Sequence, residues 1–318
     1  LFLPPDQTLH GLAESGIEVV LRKARPIRID TGLPASPAAL VLRWIGMGDV
    51  LMATPVIRRL RAELGEAARI DVVTGVPAAF AGNPDVSTVN PPELRYFDYD
   101  RIINLDRVYE ADRTVHPVDA YMRAAFGEIN HVDNEMFLAQ TEPASELKVD
   151  WRRAIVIHAG GTGRNRRMPR AFWEALIALL IEAGCVPVIV GGGGDEKWPG
   201  MEGVADLTQR FTVQETAWII EQARCFISSD TGVLHIAGTT STPIVAIYTS
   251  VRPEHRMAWR RGQLGWRTAA LVPDLHCVGC NGGMGCRRGD FACVEGNEAI
   301  TPQTAFEAIM TMVGDNSI

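Results

Sequence analysis

"ALVLRWIGMGDVLMATPVIRRL", Ala39 to Leu60, decides how this chain is read. It begins as an apolar run, the signal of a strand. Gly46-Met47-Gly48-Asp49 then turns it into a helix with Val50, Leu51, Pro55, Val56 and Leu60 on one side and Arg58, Arg59 and Arg61 on the other. A strand passing through a glycine turn into an amphipathic helix opens a parallel α/β unit. Asp49 in that turn is either a helix cap or a carboxylate at the mouth of a cleft, able to take a proton from a substrate.

Working outward, the same alternation continues. "RIDVVTG" (69–75) and "YDRIINLD" (99–106) read as strands, and "PVDAYMRAAFG" (117–127) as a helix closed by Gly127. "TEPASELKVD" (141–150) is polar, carries a proline and reads as an interdomain linker. A second series begins at "RAIVIHAG" (153–160). The helix "PRAFWEALIALLIEAG" (169–184) follows, with Pro169 at its first turn and Gly184 at its end. Then come strand "VPVIVGG" (186–192), helix "VQETAWIIEQA" (213–223), strand "CFISSD" (225–230), helix "GVLHIAGTT" (232–240) and strand "TPIVAIYTS" (242–250). Two α/β domains with a cleft between them account for this pattern. The expected divisions are an N-terminal extension (1–36), a first domain (37–142), a second domain (151–300) carrying a cysteine loop (277–293), and a last helix within 301–318. In the extension, "GIEVVLRKARPIRID" alternates as a strand does, and the segment is expected to pack on the body or on a partner.

The bulk composition agrees. The 318 residues are enough for two cores; 47% hydrophobic and 22% charged residues are ordinary for a globular protein. A net charge of −7 argues against nonspecific nucleic-acid binding, which needs a broad basic surface. No apolar run approaches the roughly 18 residues of a membrane helix. Leu1 to Pro5 is too short and proline-rich for a secretory signal, so the cytoplasm is the expected compartment.

Glycine-bearing loops sit at the carboxyl ends of predicted strands, the edge where open α/β sheets bind ligands. "HAGGTGRNRRMP" (158–169) offers Gly160, Gly161 and Gly163 for close backbone approach, the Thr162 hydroxyl, and Arg164, Arg166, Arg167 and Arg170. Guanidinium and backbone N–H groups together suit a diphosphate; a solvated basic loop is the other reading. In "SSDTGVLH" (228–235), Asp230-Thr231-Gly232 either caps a helix or presents N–H groups to an anion, and His235 is either a ligand contact or a satisfied core histidine. "VGGGGDEK" (190–197) places Asp195 and Glu196 where an acidic residue would accept hydrogen bonds from a ribose, or would simply form a surface turn.

Of the six cysteines, Cys185 and Cys225 lie in apolar runs and read as buried thiols. Cys277, Cys280, Cys286 and Cys293 are spaced C-x2-C-x5-C-x6-C among glycines. Such a loop can fold around zinc or iron in a structural site with no open position; two disulfides or four free thiols are the alternatives.

Taken in order, "IGMGDVLMATPVIRRL", "VIHAGGTGRNRRMPRAFWEAL", "VPVIVGGGGDE" and "FISSDTGVLHIAGTTSTPIVAIY" resemble the ADP-heptose glycosyltransferases of the lipopolysaccharide heptosyltransferase family, glycosyltransferase family 9. The likeness spans Leu40 to Tyr248. It implies a GT-B fold, two Rossmann-like domains with the nucleotide-sugar donor in the second and the acceptor in the first. It implies an inverting transfer without a catalytic cofactor, with Asp49 as general base. Carried over by position, Thr162 and Arg166 fall at the donor diphosphate, Arg166 where the family usually has lysine, and Gly48 and Gly161 are further donor-binding residues. Asp230, Thr231 and Gly232 match the second phosphate loop, with His235 a further donor-binding candidate, Glu196 the ribose contact and Phe211 a residue near the adenine. The last helix is expected to pack back on the first domain.

The segment from Ala39 to Gln140 is short for the family's acceptor domain, and Arg58, Arg59 and Arg61 are what would remain of its basic acceptor face. Some relatives that glycosylate proteins carry extra N-terminal elements and a metal-binding cysteine loop, so the acceptor implied is a glycan or a protein, and an oligomer is compatible. Two other readings stand beside transfer: a GT-B-like nucleotide-sugar epimerase, and a non-catalytic sugar-nucleotide-binding or assembly protein.

Overall fold

A computed structural model describes residues 36–111, 113–129, 134–280 and 285–314. The strand-like reading of residues 16–30 and the rest of the extension up to residue 35 lie outside the described residues.

The first domain is built on a fully buried strand, β1 (Ala38–Leu42). It leads through Gly46, in the left-handed region at φ 85°, into α1 (Met47–Leu51) and then α2 (Thr54–Leu64), where Pro55 occupies the first turn. β2 (Arg69–Val73), β3 (Thr88–Val89) and β4 (Arg101–Asn104) complete a parallel sheet in the order β3-β2-β1-β4. α3 (Val108–Ala111) and α4 (Pro117–Phe126) follow, α4 ending on Gly127 in the left-handed conformation the sequence anticipates.

The second domain starts with β5 (Ala154–His158), α5 (Arg170–Glu182), β6 (Val186–Ile189), β7 (Ala205–Asp206) and α6 (Val213–Gln222). β8 (Cys225–Ser229), α7 (Gly232–Ala237) and β9 (Ile244–Ile247) come next. They are followed by the antiparallel hairpin of β10 (Trp259–Arg260) with β11 (Gln263–Leu264), then β12 (Thr268–Leu271) and α8 (Pro302–Gly314). The six-stranded sheet is parallel in the order β12-β9-β8-β5-β6-β7. β5, β8 and β9 are buried along their whole length, which is why they read as unbroken apolar runs.

Both sheets reverse strand order beside their first strand: at β1/β4 in one and at β5/β8 in the other. Such switch points open a crevice at the carboxyl ends of the strands. Arg43 and Leu105 emerge at the first crevice; His158 and Asp230 emerge at the second.

Two expectations are corrected. α8 packs on α5, β8, β9 and β12 of the second domain, with Ala305, Ile309 and Val313 in its core, rather than returning to the first. Its apolar face meets the groove beside α5, so the second sheet already satisfies it. Arg61 does not lie on a solvent face either. It is buried, and its guanidinium donates to the carbonyls of Gly65, Glu66, Ala68 and Asp85, tying the end of α2 to β2. Arg59 pairs with Glu63 and Glu128, and Arg58 donates to the Glu135 carbonyl. These arginines hold the first domain together and do not form a free basic face.

Candidate active site

The turn that opens the first domain meets the helix start of the second. α1 packs against α7, and Gly48 lies so close to the His235 ring that a Cβ there would come within 2.2 Å of Cδ2. A Cβ on Gly232 would come 3.0 Å from the Met47 Cβ. Glycine is needed at 48 because two backbones and a ring share that space.

Asp49 stands at this junction. Its Oδ2 is 3.2 Å from Arg43 Nη2, and its Oδ1 is 3.7 Å from Arg256 Nη1. No side-chain cap bond is made at the start of α1, so the helix-cap reading of Asp49 is not what the structure shows. Arg43 is a buried charge on the end of an apolar strand. It is held by Glu110 at 2.9 Å, by the Leu105 carbonyl at 3.2 Å, and by the faces of Tyr109 and Tyr121. Burial alone would depress its pKa, but Tyr121, Glu110 and Asp49 outweigh that and raise it. Arg43 is therefore a permanent cation behind the Asp49 carboxylate.

Across the junction, Asp230 follows β8 and is almost fully buried. Arg166 Nη1 lies 3.3 Å from its Oδ2 and His235 Nε2 lies 3.7 Å from its Oδ1. Burial would raise the Asp230 pKa, but His235, Arg256 and Arg166 hold it down to about 2. Thr231 caps α7, its side chain accepting from the Leu234 N–H at 3.4 Å. It also stands 3.1 Å from His158 Nδ1, so the ends of β5 and β8 are bonded directly. His158 Nδ1 reaches the Ser228 hydroxyl at 3.0 Å, and Nε2 reaches Asp195 Oδ2 at 3.2 Å.

Of the other sequence-predicted donor residues, Thr162 is exposed on the loop between β5 and α5, and Gly161 has its carbonyl bonded by Arg167 at 2.7 Å. Glu196 is exposed and pairs with Arg170, whereas its neighbour Asp195 turns inward between Gly160 and Gly191 and accepts the Gly192 N–H at 2.7 Å. Phe211 is half-buried and packs against the core. The structure thus brings Gly48, Asp49, Arg166, Asp230, Thr231, Gly232 and His235 together and leaves Glu196 out of that cluster. Sequence reasoning missed Arg43 and Arg256. The charge closing the apolar run of β1 was a readable signal for Arg43; Arg256 left none.

The four loop cysteines, Cys277, Cys280, Cys286 and Cys293, line one cavity beside the loop between β5 and α5, together with Asn165 and Thr249. Backbone N–H groups, that of Phe291 first, draw the Cys286 thiol below its usual pKa, while burial pushes Cys293 up to about 11. Asn165 is buried, and both polar atoms of its side chain lack a partner. Among the described residues no three metal-ligating side chains are arranged to hold an ion. The donor chemistry nevertheless suits a thiophilic metal: four sulfurs and an unsatisfied amide face one space.

Comparison with known proteins settles the family. The model of "Glycosyltransferase family 9 (heptosyltransferase)" matches residues 93–275, more than half of the chain. The chain belongs to glycosyltransferase family 9. No curated protein sequence matches it. Solved structures share its fold at low identity. A family 9 glycosyl transferase from Veillonella parvula is 15% identical, with 89% of this chain and 99% of that chain covered and a TM-score of 0.65. ADP-heptose lipopolysaccharide heptosyltransferase II of E. coli is 17% identical, with 88% and 100% covered and a TM-score of 0.66. TibC of enterotoxigenic E. coli is a dodecameric, iron-containing heptosyltransferase. Its complex with ADP-D-β-D-heptose is 15% identical, with 90% of this chain and 80% of that chain covered and a TM-score of 0.68. The family 9 chain is a glycosyltransferase of GT-B architecture, and no helix among its described residues is long and apolar enough to cross a membrane.

Proposed function

We propose that this glycosyltransferase transfers heptose from ADP-heptose to a hydroxyl of a glycan or protein acceptor, with inversion at the anomeric carbon. One observation carries the reading: Asp49 of the first domain and the Arg166–Asp230 pair of the second meet across a single junction. An inverting transfer needs a base on one side of the sugar and cations on the other. Asp49 takes the proton of the acceptor hydroxyl as that oxygen attacks the anomeric carbon. The bond from that carbon to the diphosphate breaks, and ADP leaves with its charge held by Arg166, Thr162 and the Asp230–Gly232 loop. Asp49 is partly open to solvent, with Arg43 holding it from behind, so a substrate hydroxyl can approach. We further propose that Cys277, Cys280, Cys286 and Cys293 hold one zinc or iron ion, a structural group that would pin the cysteine loop against the donor loop. Iron is supported by TibC, which is iron-containing.

The test pairs calorimetric ADP binding with ADP release from ADP-heptose. Arg166→Ala weakens ADP binding by roughly tenfold or more, the scale of a lost charge-assisted contact. Asp49→Ala binds ADP as the wild type does and loses turnover by about 100-fold or more. Near-normal turnover in Asp49→Ala removes it as the base.

A further inference from the structure

The second domain sends one segment onto the first. After β9 the chain makes a short 3-10 turn, Pro253–His255, and the next residues leave their own sheet. The Met257 carbonyl lies 2.9 Å from His116 Nε2, and the Trp259 ring meets the His116 ring edge-on at 6.5 Å. Gly238 is pressed against Ala258 and Met136, leaving no room for a side chain. Arg256 sits in the middle of this seated strap. Its backbone N–H donates to the Pro253 carbonyl at 2.9 Å, and its guanidinium lies over the Tyr109 ring at 4.7 Å.

The two oxygens of Asp49 are consequently held by two guanidinium groups from different domains. Arg43 takes Oδ2 from within the first domain and is itself fixed by Glu110 and Leu105. Arg256 faces Oδ1 from the second. We infer that Arg256 is a positioning residue of the transfer, orienting the Asp49 carboxylate only when the second domain is seated on the first. This inference rests on the reading of Asp49 as the base. A planar guanidinium stacked on Tyr109 presents a fixed edge to the carboxylate, so it sets the rotation of Asp49 and not only its charge. A carboxylate has about four acceptor directions, so the two contacts leave others for an acceptor hydroxyl. Arg256 also helps keep Asp230 ionised, but the carboxylate it faces is Asp49, whereas Arg166 is the guanidinium paired with Asp230.

The experiment uses the full chain with ADP-heptose as donor and water as nucleophile, read as ADP release. Arg256→Ala lowers kcat by about 100-fold, the scale of a misplaced catalytic group, while the calorimetric Kd for ADP moves less than about threefold. Arg256→Lys recovers part of kcat, because it restores the charge without the planar edge. Independently of activity, the loss of Tm in the Asp49→Ala/Arg256→Ala double variant is smaller than the sum of the two single losses. Unchanged kcat in Arg256→Ala, a loss confined to ADP affinity, or additive Tm losses would each overturn the inference. If the wild type releases no ADP from ADP-heptose, the donor reading fails. The Tm cycle then decides the Arg256–Asp49 link alone, non-additivity upholding it and additivity ending it.

Discussion

At the scale of single residues, the junction is set by what cannot be added to it. An alanine at 48 gains up to about 1 kcal/mol of helix propensity over glycine. It also drives a methyl into the buried His235 ring, and overpacking of that kind costs about 1–3 kcal/mol. The second effect is larger, so Gly48→Ala is expected to lower unfolding stability by about 1–2 kcal/mol in urea. ADP affinity falls with it, since the ring must move off Asp230. A variant as stable as the wild type and binding ADP normally would show the ring is free to yield. Sequence alone located Gly48 and Asp49 because a glycine turn between a strand and a helix is a local pattern. Arg256 was illegible for the opposite reason: its partners, Tyr109 and Asp49, lie far away in sequence and in the other domain. Glu196 shows a third case, where the local pattern offers two acidic neighbours and does not rank them. Either acidic residue fits the pattern, and only the fold shows that Asp195 turns inward.

Elements were read more faithfully than single contacts. β5, β8, β9, α5 and α6 fall within the segments expected, because a buried parallel strand and a capped amphipathic helix both write themselves into local sequence. Thr212 and Glu215 form a reciprocal capping box at the start of α6. β12 was not anticipated, since "TAAL" is short and only half-buried, and its place beside β9 depends on sheet pairing. The cysteine loop is the element whose role sequence could only narrow. With the residues just after it, it meets the first two residues of the 3-10 turn Arg164–Arg166 in the loop between β5 and α5. Glu295 pairs with Arg164 at 2.8 Å, Phe291 lies under the same guanidinium, and the Cys293 thiol lies 4.0 Å from the Asn165 carbonyl. Elemental analysis of the purified chain is expected to find about one zinc or iron per chain, and Cys286→Ser with Cys293→Ser to abolish it. A folded, metal-free wild type with four titratable thiols in this loop would end that proposal.

At the scale of the whole molecule, His116 joins the domains in a way that depends on its charge. It caps α4, accepting the Val118 N–H at Nδ1, so Nε2–H is the donor to the Met257 carbonyl and the neutral ring satisfies both bonds. Burial lowers its pKa from 6.5 to about 3, opposed in part by the Met257 carbonyl and reinforced by the smaller effects of the nearby His235, Arg256 and His255. Because the folded value lies below the unfolded one, the unfolded chain binds more protons as pH falls. The associated stability is complete above about pH 6.5 and is lost progressively down to about pH 3, at up to about 1.4 kcal/mol per pH unit. His116→Gln is therefore expected to show a shallower decline in urea stability between about pH 6.5 and 4 than the wild type. Equal slopes would remove His116 from the account.

The strap that carries Met257 also bears on what the two Rossmann-like halves are to each other. A single apolar cluster runs from Val41, Ile57 and Met122 through Met136 to Val156, Phe226 and Tyr248, and Met257 and Trp259 pack against it. Neither half encloses an interior of its own on that side; each completes the other's. The cleft is thus less a gap between two independent bodies than a surface groove over a common foundation, and cooperativity of folding becomes a condition of catalysis. A defect deep in one half is felt as looseness in the other, far from any residue that touches a sugar.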